Sequence, residues 1–160
     1  MIGTIKVRNG FLIVEFNDDV IKRITWRKDW EEEGDFPGRR LFERYFSGEK
    51  VDFSTLKLDF KDIPPFFARV YSLLRGVPWG KVVSYQDLAL NLGNMNYQRA
   101  VGNAMSRNPF LIVVPCHRVI KKDGRIGSFG LGAEFKEWLL NLEDVRVNNG
   151  KISGVRYWWH

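Results

Sequence analysis

The run Ile112-Val113-Val114-Pro115-Cys116-His117-Arg118-Val119-Ile120 constrains this 160-residue chain most: it is apolar, it is cut once, and it holds the only cysteine. Pro115 removes a backbone donor and fixes φ, so a strand through Ile112–Val114 is expected to break where the thiol is presented. A lone Cys cannot be half of an intramolecular disulfide. The fold therefore rests on its core, and the length suffices for one domain or for two small lobes. His117 and Arg118 follow the thiol at once, and both would bias the local field toward thiolate. That bias matters because a thiol of pKa near 8.5 is only about 3% ionised at pH 7. Taken alone, the pattern fits a buried structural Cys and an activated nucleophile alike.

Hydrophobic residues make up 44% of the chain and charged residues 28%, the balance of an ordinary soluble globular protein. No apolar run approaches the length of a membrane span, and Met1-Ile2-Gly3-Thr4 opens no signal peptide. One Cys without a leader points to a reducing, intracellular (cytoplasmic) setting. The net charge of +6 is unevenly placed: residues 61–130 hold ten Lys/Arg against three Asp/Glu, while residues 1–60 hold eleven against twelve. A basic middle around the thiol fits a polyanion partner, with nucleic acid first, and it fits a solvated cationic face equally.

The first sixty residues read as strands followed by a helix. Asn9-Gly10 between two apolar runs is a type I′ hairpin signal, and Asn17-Asp18-Asp19 a second turn, leading to Val20–Trp26. Leu41, Phe42, Tyr45 and Phe46 fall at helical spacing, with Gly48 in the C′ position. Lys57–Pro65 reads as a crossover, and Pro64-Pro65 as the entry to a helix bearing Phe66, Phe67, Val70, Tyr71 and Leu74. Ser84 and Asp87 fit a capping box, which starts a short helix ended by Gly93. A second helix is expected over Tyr97–Arg107, with Arg99, Gly102, Asn103 and Ser106 outward, giving a helix-turn-helix pattern. Lys121-Lys122-Asp123-Gly124 is a turn, and glycines 127, 130 and 132 make the next loop pliable. Phe135, Trp138, Leu139 and Leu142 define a last amphipathic helix, with Glu143 at the end where the macrodipole disfavours an anion. The aromatic end Tyr157-Trp158-Trp159-His160 is expected to dock on the body.

Several of these pieces together resemble the O6-alkylguanine-DNA alkyltransferases (methylated-DNA–protein-cysteine methyltransferases). They are Val77-Pro78-Trp79-Gly80-Lys81-Val82-Val83-Ser84-Tyr85, Arg99-Ala100-Val101-Gly102, Asn108-Pro109, Pro115-Cys116-His117-Arg118-Val119-Ile120, and Glu143 after Lys136-Glu137-Trp138-Leu139-Leu140. The match runs over roughly residues 64–143. The resemblance implies an α/β fold of two lobes. A small N-terminal α/β lobe with antiparallel hairpin strands (1–60) precedes a mainly helical C-terminal lobe (61–147), which carries the helix-turn-helix and the active-site Cys, and residues 148–160 form a tail.

The resemblance also implies an activity: DNA repair by direct reversal, with one stoichiometric transfer of a methyl or alkyl group from guanine O6 to Cys116. By the family pattern His117 takes the thiol proton through a water, Glu143 supports the imidazole, Asn108 braces the turn, and Tyr85 donates a hydrogen bond to the departing guanine. The target must be flipped out of the duplex, with Arg99 filling the gap. The DNA-binding set is Arg99, Gly102, Asn103, Ser106, Ser84 and Arg107, acting in the minor groove of double-stranded DNA carrying O6-alkylguanine. Val119, Phe129, Gly130 and Leu131 line the substrate pocket. No cofactor is implied. Some members bind zinc through N-terminal Cys and His, and residues 1–60 contain neither, so no metal is expected. A monomer without membrane association is the default.

Three other readings are weighed beside this one. A non-enzymatic alkyltransferase-like lesion-binding protein would carry another residue, usually Trp, at the reactive position. A cysteine hydrolase would leave Tyr85, Arg99 and the basic segment without a role, and a helix-turn-helix regulator would not depend on Cys116. Two positions depart from the family pattern: Phe129 stands where Tyr is common, and Leu131 where Gly is frequent. A bulky residue at the pocket mouth narrows it. Leu131→Gly is therefore expected to speed reaction with O6-benzyl substrates relative to the parent, and equal rates for the two proteins would refute the narrowing.

Overall fold

Positive-φ residues shape the first sheet. β1 (Ile2–Val7) and β2 (Gly10–Asn17) form an antiparallel hairpin with Val7 opposite Gly10. The two-residue turn is thus Arg8-Asn9, at φ 51° and 57°, one residue earlier than Asn9-Gly10. Gly10 answers a different demand. A Cβ there would stand 2.6 Å from the Arg27 carbonyl oxygen and 2.5 Å from Trp26 Cζ2, so its absence lets Trp26 lie close and donate its indole N–H to Val7 O at 3.0 Å. Asp18, at φ 52°, makes the next turn into β3 (Val20–Arg27). In α1 (Arg39–Phe46), Phe42 and Tyr45 are buried against Phe53, with ring centroids 4.7 and 5.4 Å away, and Gly48 at φ 95° follows the C-cap. The stretch read as a crossover contains β4 (Lys57–Leu58), parallel to β3, which completes a sheet in the order β1-β2-β3-β4.

The computed structural model describes residues 1–154 and 156–159, and the chain divides into two units. The first comprises Met1–Ile63 with Pro109–Val113. That second segment corrects the sequence reading, because Ile112–Val114 is not a strand. Phe110 bridges Ile24 and stacks on Phe60 at 5.5 Å, Ile24 N–H donates to Pro109 O at 2.8 Å, and Ile112 then turns at φ 73°. Residues Phe110 to Val114 are all buried. A run buried on every side shows no period by which strand and turn could be told apart.

The second unit comprises Pro64–Asn108 with Val114–His160. α2 (Pro65–Leu74) begins with Pro65 after Pro64, where a missing N–H costs nothing. β5 (Val83–Ser84) leads into α3 (Tyr85–Asn91), and a 3₁₀ turn over Met95–Tyr97 leads on to α4 (Gln98–Ser106). The buried Tyr71 hydroxyl donates to Ala104 O at 2.7 Å and ties α2 to α4. β6 (Val119–Ile120) pairs parallel with β5.

α5 (Ala133–Leu142) buries Phe135, Lys136, Leu139 and Leu140. Its inner face is therefore rotated from the expected one: Trp138 and Leu142 are half-buried, and a lysine holds a core position. β7 (Val147–Asn148) and β8 (Lys151–Ile152) form a hairpin through Asn149-Gly150, at φ 52° and 73°. The chain's positive-φ Asn-Gly turn thus lies in the stretch read as tail. Tyr157 forms a bridge to Val82, and the Trp158 and Trp159 rings stack at 5.1 Å. His160 lies outside the described residues. Among the described residues no helix is long and apolar enough to cross a membrane.

Candidate active site and nucleic-acid interface

Pro115 ends the buried turn, and a 3₁₀ turn, Cys116–Arg118, carries the thiol out of it. Cys116 is 8% exposed. Asn108, just past α4, reaches this turn and holds it twice. Its Nδ2 donates to Val114 O at 2.9 Å and to Cys116 Sγ at 3.3 Å. Burial pushes the Cys116 thiol above its ordinary pKa, against the Asn108 hydrogen bond, the Lys136 charge and the backbone N–H groups of Cys116 and His117. The sulfur at rest is therefore a thiol. This corrects the expectation that His117 and Arg118 bias the sulfur toward thiolate, since both side chains turn to Glu143 and burial outweighs what field remains.

Glu143 caps the C-terminus of α5, and its carboxylate is fully buried. Arg118 grips both oxygens, Nε to Oε1 at 2.7 Å and Nη2 to Oε2 at 3.0 Å, while its Nη1 donates to Val77 O at 2.7 Å. His117 Nε2 meets Oε2 at 2.6 Å. A carboxylate only accepts, so the imidazole carries its proton on Nε2. Nδ1 is left as the bare nitrogen, buried and without a protein hydrogen-bond partner among the described residues. Burial would raise the Glu143 carboxyl, but the facing His117 and Arg118, through charge and hydrogen bonds, hold it well below the usual carboxylate range. Burial lowers His117, and the Arg118 and Lys136 cations add to that, against the pull of Glu143. The resting arrangement is a neutral imidazole beside a carboxylate already satisfied by arginine, with its free nitrogen ready to accept a proton.

Tyr85 is the first residue of α3, and burial raises its hydroxyl's pKa, which keeps it a hydrogen-bond donor. Lys136 joins the site although the sequence reading gives it no role. It is 1% exposed, donates from Nζ to Val119 O at 2.7 Å and lies 5.9 Å from the Tyr85 ring centroid. Burial lowers its pKa to about 8. The signal that could have found it is helical spacing, since Lys136, Leu139, Leu140 and Glu143 share one face of α5, and a lysine on a buried face calls for a polar role. Arg118 is legible in the sequence only as a charge near the thiol and not as the partner of Glu143. Around the site, Val119 is fully buried, Phe129 stacks on Phe135 at 6.2 Å, Gly130 has open space where a Cβ would stand, and Leu131 is 39% exposed.

On α4, Arg99, Asn103 and Ser106 are exposed, and so is Arg107 just beyond it. A Cβ on Gly102 would meet nothing within 4 Å, so a ligand backbone could approach closely there. Ser84 does not belong to this face. It is 1% exposed, and its Oγ accepts the Asp87 N–H at 2.9 Å in starting α3.

Comparison with known proteins converges on one group. Residues 65–145 match the family described as 6-O-methylguanine DNA methyltransferase, DNA binding domain. The chain is 34% identical to a methylated-DNA–protein-cysteine methyltransferase of Haemophilus influenzae, over 85% of this chain and 82% of that one. It is 44% identical to a DNA base-flipping protein of Thermus thermophilus, over 66% of this chain and 70% of that one. Its fold is similar to that of the Mycobacterium tuberculosis OGT solved in complex with DNA, with a TM-score of 0.78 and 30% identity, covering 89% of this chain and 92% of that one.

The depressed Glu143 pKa has a stability consequence whose sign is fixed. A carboxyl held below its unfolded pKa of about 4.3 adds stability that is complete above that value and is lost as pH falls toward the folded one. Glu143→Gln also leaves Arg118 buried without its charge partner, a loss of about 3–5 kcal/mol. In urea unfolding, the gap between parent and Glu143→Gln is expected to be widest above pH 5 and to narrow below pH 4. A gap constant from pH 7 to pH 3 would contradict an ionised, arginine-held Glu143.

Proposed function

The chain belongs to the 6-O-methylguanine DNA methyltransferase family, and from that premise we propose that it repairs O6-alkylguanine in DNA by direct reversal, with Cys116 as the single-use acceptor of the alkyl group. The observation that carries the assignment of Cys116 is the buried polar chain Arg118–Glu143–His117, in which Arg118 and His117 share a turn with the only thiol and Glu143 at the end of α5 leaves His117 Nδ1 unpaired. Transfer to Cys116 requires a proton acceptor beside the thiol, and the free His117 Nδ1 supports that reading.

The chemistry is an in-line displacement. The thiol proton passes through a water to His117 Nδ1, and the resulting imidazolium is stabilised by Glu143. Sulfur attacks the alkyl carbon, the carbon–O6 bond breaks, and guanine departs with the bonding electrons. Tyr85 donates to a ring nitrogen of the departing base, and the Lys136 cation beside it offsets negative charge developing on both sulfur and guanine. Asn108 keeps the turn aimed. The thioether has no easy leaving group, so each molecule acts once.

The target atom is out of reach in a stacked duplex, so the nucleotide is flipped at a cost of a few kcal/mol. Arg99 fills the space it leaves, while Gly102, Asn103 and Ser106 with Arg107 lie along the minor groove. Binding rests on phosphates and has little sequence preference. We take the protein to act as a monomer in the cytoplasm, a compartment that keeps such a thiol reduced.

A specific observation supports a second reading, a lesion binder without transfer: the Thermus relative is named a DNA base-flipping protein. Intact mass after incubation with a duplex carrying one O6-methylguanine separates the two. One methyl is expected per protein, mapped to Cys116, with the DNA restored and no second turnover. Unchanged mass with tight lesion binding would overturn the transfer and favour the binder.

A further inference from the structure

Two lysines beside the site and the aromatic C-terminal segment are left unused by this chemistry, and the structure joins them. Lys121 and Lys122 open a tight turn in which Gly124 N–H donates to Lys121 O at 3.0 Å and Lys121 N–H to Arg125 O at 2.9 Å. Asp123, the turn's carboxylate, pairs with Arg125 at 3.4 Å. Lys121 and Lys122 are exposed and have no ion-pair partner among the described residues. The turn follows β6, whose pairing of Ile120 with Ser84 sets it beside the start of α3. The Lys121 stem runs along the wall of the site. Its Cε and Cγ lie 3.8 and 3.9 Å from where a Gly127 Cβ would stand, and the Tyr85 hydroxyl is 4.0 Å from the same point.

The C-terminal segment holds this turn from behind. Val82 N–H donates to Arg156 O and Trp158 N–H to Val82 O, both at 2.9 Å, which lays Tyr157 alongside Val82. The Tyr157 ring packs on the cluster that includes Val82, Ile120 and Ile126. Its hydroxyl reaches the carbonyls of Lys122 at 3.2 Å and Lys121 at 3.4 Å. A tyrosine bonded to the main chain of two adjacent lysines fixes the backbone from which their side chains extend.

We propose that Lys121 and Lys122 clamp a phosphate of the DNA strand carrying the flipped nucleotide, and that Tyr157 is the positioning residue of that clamp. Charge complementarity and the nearness of Lys121 to the Tyr85 wall carry the occupant. Lys121 lies near a third cation, because it acts on the buried Lys136, and the turn's one carboxylate, Asp123, is shared among Arg125, Lys151 and Lys121. Such an arrangement favours a polyanion, and the wall they extend already bears Tyr85. The inference rests on the protein acting on DNA, and it gives Tyr157 a role that base chemistry does not require.

The test is duplex binding, by fluorescence anisotropy on DNA with one O6-methylguanine, across a salt series. Removing a single phosphate contact lowers the slope of log K against log salt by about 0.9. The variant Lys121→Gln/Lys122→Gln is expected to show a slope shallower by about one to two. Tyr157→Phe keeps every charge and is expected to fall between that variant and the parent, with its unfolding midpoint in urea near the parent's. A parental slope in the double variant would overturn the clamp, and a parental slope in Tyr157→Phe would overturn the positioning role. If the parent protein itself neither bound the duplex nor gained a methyl, the functional reading would fail and not the clamp alone.

Discussion

A buried carboxylate at the C-terminal end of a helix is in an unfavourable place twice over, once for its missing hydration and once for the helix dipole. Glu143 is tolerated there because Arg118 covers both its oxygens and is itself tied to Val77 O. The rest of the site follows from that pair. With Glu143 ionised and directed at Nε2, the His117 ring is locked in one orientation and its proton in one place, which leaves Nδ1 as the acceptor. Arg118 and His117 are adjacent in the 3₁₀ turn that begins with Cys116, so one short turn supplies the proposed alkyl acceptor, the proposed base and the anchor of that base.

The thiol is protected by the same burial that makes this network costly. A standing thiolate on an exposed loop would be open to oxidation and indiscriminate alkylation. Here burial keeps Cys116 protonated until a substrate is in place, while Asn108, Lys136 and nearby N–H groups stand ready to favour the charged form. For a protein proposed to spend itself in one event, a reactive sulfur held in reserve is the economical arrangement. Lys136 belongs to this design as a cation on the inner face of α5, bonded to Val119 O and lying near Tyr85.

Much of this is legible in the amino-acid sequence alone. Local signals hold where their cause is local: Ser84 caps α3, Pro65 opens α2, and Gly48 follows the end of α1. The family resemblance names Cys116, His117, Asn108, Tyr85 and Glu143, and all five belong to one unit of the fold. The misses have tertiary causes. Gly10 resembles a turn residue and is in fact a gap for Trp26, which only the third strand reveals. Ile112–Val114 is apolar throughout and so carries no period, and its turn is set by burial from all sides. Lys136 is given no role, and Arg118 is read only as a charge near the thiol, because their partners lie 17 and 25 residues away. Ser84 matches the DNA-face pattern by position, although it is buried where it caps α3.

The central claim is that Cys116 rests as a buried thiol and is ionised only through His117. Thiolate absorbance near 240 nm, read as the difference between the parent and Cys116→Ser across pH 6 to 10 without DNA, tests it most directly. No thiolate is expected at pH 7, and the midpoint should lie above the ordinary thiol value of about 8.5. A full thiolate signal already present at pH 7 would contradict it.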